Sequence, residues 1–139
     1  MRAVIKVIGT QGVPDGEDDV IELTTDGIYS RTETGFVLRY QESEITGLVG
    51  TTTTVEIEPD AITVERKGTL NSRMEFRENA KNSFVYDTQY GAATLGVETR
   101  RIKANFDDFG GDLCIDYIVN MEHAVVCKNK LEISVKTRR

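Results

Sequence analysis

The chain has no tryptophan, one histidine, two cysteines and two prolines. Each scarcity removes a class of chemistry. With His123 as its sole histidine, a two-histidine metal site is impossible, and any imidazole base must be that residue. His123 lies in the turn-like stretch Asn120-Met121-Glu122-His123-Ala124 with no nucleophile beside it in sequence, so a solvated turn histidine is expected. Cys114 and Cys127 are too few for zinc without histidine support, and a lone pair of cysteines implies two reduced thiols rather than a disulfide framework. No cofactor or metal is called for.

No apolar run approaches the length of a membrane span, and the opening Met1–Ile8 is broken by Lys6 and stopped by Gly9, which is too short for a signal-peptide apolar region. A cytoplasmic location, with no membrane partner, is the expectation. Positive charge is also short, with 17 basic residues against 23 acidic and a formal net of −6. Such a field repels polyanions and argues against a nucleic-acid partner. The local basic groups Arg100, Arg101, Lys103 and Lys136, Arg138, Arg139 read as solvated strand faces and a frayed tail.

What the chain does have is ordinary globular composition and enough residues, 139, to bury one core without staples, so a single domain over 1–139 is expected. No stretch of twelve or more residues carries a 3.6 period, whereas a period of two runs from end to end. Strands are predicted near 2–9, 19–25, 28–33, 36–43, 51–58, 61–67, 71–77, 83–89, 92–106, 112–122 and 129–137. Asp26-Gly27, Pro59-Asp60 and Gly110-Gly111 between alternating runs read as tight hairpins. Gln11–Asp19 and Ser43–Gly50 read as longer connections, and Thr51–Thr54 as β-branched strand sequence.

Short links leave no room for crossover helices, so the fold class is all-β. The preferred architecture is a single antiparallel up-and-down β-barrel of about ten strands, because closing a meander removes its exposed edges. A Greek-key sandwich is the alternative. Within 92–106 the apolar parity changes from Leu95 and Val97 to Ile102, Ala104 and Phe106, which predicts a bulge near Arg100-Arg101.

Alternation assigns inward faces to Phe36, Leu38, Tyr40 and Glu42; to Ile62, Val64 and Arg66; to Phe84, Tyr86, Thr88 and Tyr90; and to Leu113, Ile115, Tyr117, Val119 and Met121, followed by Leu131, Ile133 and Val135. The inward set thus contains two charges. An unpaired ion on such a face costs about several kcal/mol, so Arg66 needs a partner or water, and Glu42 is the obvious one. Tyr40, Tyr86, Tyr90 and Tyr117, with Thr88, could satisfy the remaining donors and acceptors.

Two accounts fit. Glu42 and Arg66 could be a structural pair that fixes register, in a barrel with a filled core that serves protein–protein interaction. Alternatively Tyr40, Glu42, Arg66, Tyr86, Thr88, Tyr90 and Tyr117 could form the polar end of a ligand pocket, with Arg66 anchoring a carboxylate or phosphate.

Tyr40-x-Glu42, Arg66-x-Gly68, Met74-x-Phe76, Tyr86-x-Thr88-x-x-Gly91 and Leu113-x-Ile115-x-Tyr117, in that order, resemble the YwiB-like family of small bacterial proteins of unassigned function. The resemblance covers nearly the whole chain. It implies a calycin-like β-barrel, related in shape to lipocalins and fatty-acid-binding proteins, from a bacterial cytoplasm, and it implies no activity. The chain departs from cytosolic fatty-acid-binding proteins, whose last strand carries an Arg-x-Tyr pair. Here that strand reads Leu131-Glu132-Ile133-Ser134-Val135, which counts against fatty-acid carriage of that type.

Asp107-Asp108-Phe109-Gly110-Gly111-Asp112 contains a kinase-like Asp-Phe-Gly without the other kinase motifs. Its aspartates could at most make a weak calcium site, and Asp15–Asp19 lacks the glycine and later glutamate of an EF-hand loop. Solvated turns explain both. No catalytic residue is assigned. The expected function is non-enzymatic binding of a small, partly apolar ligand with a polar or anionic head, by a monomer or homodimer.

Overall fold

The structure, a computed structural model, describes residues 1–12, 16–121 and 124–138, with backbone alone for 124–126. His123 and residues 13–15 of the first connection lie outside the described residues. Ten strands are present among them: β1 (Arg2–Gly12), β2 (Asp19–Arg31), β3 (Phe36–Gln41), β4 (Thr52–Ile57), β5 (Ile62–Lys67), β6 (Leu70–Phe76), β7 (Lys81–Thr88), β8 (Gly91–Asp107), β9 (Gly110–Met121) and β10 (Ala124–Thr137). Each pairs antiparallel with its neighbours in sequence, and β1 pairs with β10, so the meander closes into a barrel. The expected barrel is what forms, and the sandwich is not.

Two predicted hairpins need correction. Asp26-Gly27 is no turn: β2 runs unbroken through it, with Gly27 opposite Ala3 of β1 on one side and Tyr40 of β3 on the other. Gly27 is required for close approach instead, since a Cβ there would lie 2.4 Å from both the Arg39 carbonyl oxygen and Ile5 Cδ1. The later hairpin turns at Asp108-Phe109, and the adjoining glycines open β9, with Gly110 at φ +128°. Pro59-Asp60 does separate β4 from β5, where the Glu58 amide donates to the Ala61 carbonyl at 3.0 Å.

The predicted bulge is found. Thr99 pairs with Tyr117 and Arg101 with Asp116, which leaves Arg100 as the extra residue of β8. It resets parity so that Leu95 and Val97 before it and Ile102 and Phe106 after it all pack on the core, although Ala104 is exposed.

Lateral pairing stacks the interior of β3–β6 in layers. Phe36, Ile57, Ile62 and Phe76 form one rung; Leu38, Val55, Val64 and Met74 form the next; Tyr40, Thr53, Arg66 and Ser72 form a third. The first rung adjoins an aromatic plug in which Tyr29 stacks on Phe36 at 5.5 Å and 6°, with Phe106 6.2 Å from each ring. The Tyr29 hydroxyl donates to the Asp107 carbonyl at 2.6 Å, and Arg31 lies 5.0 Å over the Phe36 ring. That end is filled. Burial of each such side chain contributes about 1.5–3 kcal/mol.

The ladder has one weak seam. β6 and β7 share two pairs, Leu70 with Thr88 and Asn71 with Asp87, and beyond these the Asn82 side-chain amide bridges to the Glu75 carbonyl at 3.1 Å. Amides of Ser72–Phe76 and Lys81–Tyr86 that point across this seam are expected to exchange with deuterium faster than those in the β1–β10 ladder, as read by residue-resolved hydrogen exchange. A Gly27→Ala substitution should destabilise by about 1–3 kcal/mol through overpacking. In the same urea titrations Gly9→Ala, where an added Cβ meets nothing within 4 Å, serves as the mild control.

Candidate functional site

The third rung lies where β3, β5 and β7 run out toward the barrel mouth, and it is the polar one. Parity places Tyr40 inward with Leu38, Thr53 with Val55 and Arg66 with Val64. Glu42 continues the β3 parity one step past the strand, its amide donating to the Thr51 carbonyl at 2.9 Å. Its carboxylate is 3% exposed and accepts a 2.5 Å hydrogen bond from the Thr53 hydroxyl.

Arg66 meets Glu42 through Nε, 3.7 Å from Oε2, with its side chain 22% exposed. That separation is an electrostatic contact and not a hydrogen bond. Arg66 Nε is buried with no hydrogen-bond partner among the described residues. The expected pairing of the two inward charges is therefore present, in a loose form.

Two of the phenols nearby, Tyr40 and Tyr117, are kept neutral. Burial pushes the Tyr40 hydroxyl well above the usual tyrosine range, and the Glu42 carboxylate adds to the rise. Burial likewise raises Tyr117, against the opposing pull of the Arg66 guanidinium. The Tyr117 ring packs 4.8 Å from Phe76, which connects the polar rung to the core below.

Above the rung is a cavity of about 270 Å³ that opens at the mouth, with Tyr40, Glu42, Arg66, Tyr86 and Tyr117 in its lining. Val7, Leu23, Leu70 and Leu131 form its apolar wall, and Asp19, Asn129 and Lys130 its rim. The Ser43–Gly50 connection lies across it, contributing Thr46 and Leu48. This loop is held mainly by its own bonds, Thr46 amide to Ser43 carbonyl at 3.2 Å and Gly47 amide to Glu44 carbonyl at 3.1 Å, and by the Thr69 hydroxyl on the Val49 carbonyl at 2.7 Å. Gly50 at φ +87° and Gly68 at φ +140° let the loop pass close to the β5–β6 turn.

Five of the seven residues singled out by sequence come together here: Tyr40, Glu42, Arg66, Tyr86 and Tyr117. Two do not. Tyr90 is 91% exposed in the β7–β8 turn, because alternation ceases to report a face once the chain leaves the strand after Thr88. The Thr88 hydroxyl is used in that turn, accepting from the Tyr90 amide at 3.1 Å and donating to the Gly91 carbonyl at 3.2 Å. Thr53 and Leu70 were missed, although the parity of Val55 and Ile57 extended back through the threonine run would have turned Thr53 inward.

Among the described residues, no three His, Cys, Asp or Glu side chains are grouped to hold a metal ion. The Asp107 carboxylate accepts from the Phe109 amide at 2.8 Å, and Asp108 pairs with Arg31. Both carboxylates are engaged in the turn.

Two outcomes test this electrostatic arrangement. Arg66→Met leaves Glu42 with the Thr53 and Tyr40 hydroxyls and should cost about 1–3 kcal/mol, less than the roughly 3–5 of severing a tight buried pair. At the alkaline end, unfolded tyrosine ionises near pH ~10, while folded Tyr40 and Tyr117 stay protonated to higher pH and Tyr29 is held to about 12. The folded state then binds more protons, so stability falls as pH rises from 10 toward 12. Urea midpoints across this range should fall less steeply for Tyr40→Phe.

Comparison with known proteins supplies the relationship. The chain is 28% identical over 103 residues, 74% of this chain and 71% of the relative, to the "Uncharacterized beta-barrel protein YwiB" of Bacillus subtilis (strain 168). It superposes on the "Crystal structure of ywiB protein from Bacillus subtilis" with a TM-score of 0.87 at 22% identity, covering 99% of this chain and 92% of that one. The fold is therefore shared over the whole barrel. The profile of the domain of unknown function DUF1934 matches residues 5–133, and the chain belongs to that family.

Proposed function

We propose that this barrel binds a compact, partly apolar small molecule at its mouth, with the polar or anionic head against Arg66, Tyr86 and Tyr117 and the body against Val7, Leu23, Leu70 and Leu131. The observation that carries the reading is the Arg66 guanidinium inside a hollow, its Nε buried without a hydrogen-bond partner beside an apolar wall. A concave, mainly apolar space with a few converging polar groups is the general form of a ligand site. Glu42 and Tyr40 act from behind, setting the position of Arg66.

Size narrows the ligand. A hollow of about 270 Å³ falls just below the usual range of about 300–1,000 Å³ for small-molecule sites, which favours a compact ligand over a long acyl chain. The reading is of a binder and not an enzyme, since Glu42 is enclosed by Thr53, and Tyr40 and Tyr117 are held protonated by burial. The competing reading, an interaction protein, draws on exposed Ile45, Val49 and Tyr90 in the loops of the mouth end.

Native mass spectrometry of freshly purified protein, set against its denatured mass, tests the proposal. A reproducible adduct of small-molecule mass is expected, and it should be lost from folded Arg66→Met. An adduct retained in full by that variant would remove Arg66 from the site. A clean apo mass, together with no response of mouth residues to any compound in a fragment screen followed by NMR, would overturn the proposal in favour of surface interaction.

A further inference from the structure

Resting on that reading of the mouth as a ligand site, we infer that the head group is a single planar carboxylate held by the outer edge of the Arg66 guanidinium, and that a dianionic phosphate is disfavoured. The argument begins with unused donors. Arginine stays charged at all accessible pH and carries five N–H groups in a rigid fork. The closest approach of Glu42 is to Nε at 3.7 Å, and no hydrogen bond to the guanidinium is made by any described residue. With Nε itself buried, the donors left open and unspent are those of the terminal Nη1 and Nη2 groups.

Exposure decides which member of the pair a ligand meets. Glu42 is 3% exposed and covered by Thr53, whereas Arg66 is 22% exposed. An incoming group encounters the cation first. Two parallel N–H donors match the two oxygens of a carboxylate in one plane. Tyr117, kept protonated by burial and close enough to feel the guanidinium, supplies a neutral O–H on the same side and no competing phenolate.

Charge counting separates one negative charge from two. The ionised groups around the hollow are Glu42, Arg66, Asp19 and Lys130, with Lys130 also 3.6 Å from Glu132. They sum to zero before a ligand enters. A monoanion seated on the exposed cation leaves one net negative charge near the mouth, while a dianion leaves two in a partly desolvated space, where uncompensated charge is costly. The volume, about 270 Å³, equals on the order of nine waters at ~30 Å³ each, which suits a body the size of benzoate or a short branched acid.

The test uses the whole protein and matched probes: benzoate, benzamide and phenyl phosphate, with hexanoate and hexanamide as an aliphatic pair. Each is titrated at pH 7 by NMR, following the methyls of Leu70 and Leu131 and the Tyr117 ring. The acids should bind about tenfold or more tighter than their amides, the difference between charge-assisted and neutral hydrogen bonding, and tighter than phenyl phosphate. Arg66→Met, which removes both the charge and the fork, should erase most of that preference while still binding the amides, and Arg66→Lys, which keeps the charge alone, should retain part of it. Amides binding as well as acids would overturn the carboxylate assignment and leave the pocket standing, and so would tighter binding of phenyl phosphate. Failure of every probe, neutral ones included, would remove both the head-group assignment and the pocket.

Discussion

Arg66 is inside because Ile62 and Val64 are. The three share one face of β5, and a slip of one residue that released the arginine to water would turn both aliphatic side chains out with it. At about 1.5–3 kcal/mol for each apolar side chain buried, the core outweighs the preference of one guanidinium for solvent. A closed ladder adds to this, since strand pairing on both sides of β5 leaves no edge at which the strand could twist away. The interior must then supply a counter-charge, and Glu42 at the end of β3, held by Thr53 of β4, supplies it.

The same register grades the interior from solid to hollow. Tyr29, Phe36 and Phe106 fill one end, the Leu38–Met74 rung fills the middle, and of the rung Tyr40, Thr53, Arg66 and Ser72 the first and third reach the cavity lining. Each layer is made by residues two apart on the same strands, so the gradient is written along single strands: Phe36, Leu38, Tyr40, Glu42 on one and Ile62, Val64, Arg66 on another. The seam between β6 and β7 borders this gradient, and a wall with two ladder pairs is the part of the barrel that can yield at least cost.

Most of this was legible because the side-chain period of a strand is two, and parity carries over from one inward residue to the next. The bulge at Arg100 could be read from the shift between Val97 and Ile102 without any knowledge of the partner strand. Parity fails where the chain stops being a strand or where a glycine serves packing. Parity extended past the end of β7 misplaces Tyr90, which lies in a turn, and the Asp-Gly signal at Gly27 hides a constraint that comes from Ile5 and Arg39, residues distant in sequence. Thr53 was passed over because β-branched propensity already explained the threonine run, although β-propensity cannot say which hydroxyl faces a buried carboxylate. The volume of the cavity was not legible, since it depends on how ten strands pack and not on any one of them.

Whether Glu42 and Arg66 are a structural fastening or part of a site can be judged against another pair in the same molecule. Arg31 and Asp108 close at 2.7 Å through both Nε and Nη2, although both side chains are well exposed. There the fork is spent on its partner. Arg66 is far more enclosed, so the reward for closing its pair is larger, and yet it stands at 3.7 Å with Nε unpartnered. A register clamp gains nothing from that gap. In the proposed site that gap has a use: the carboxylate behind holds the cation in place without consuming its donors, so that a binding geometry is set before a ligand arrives.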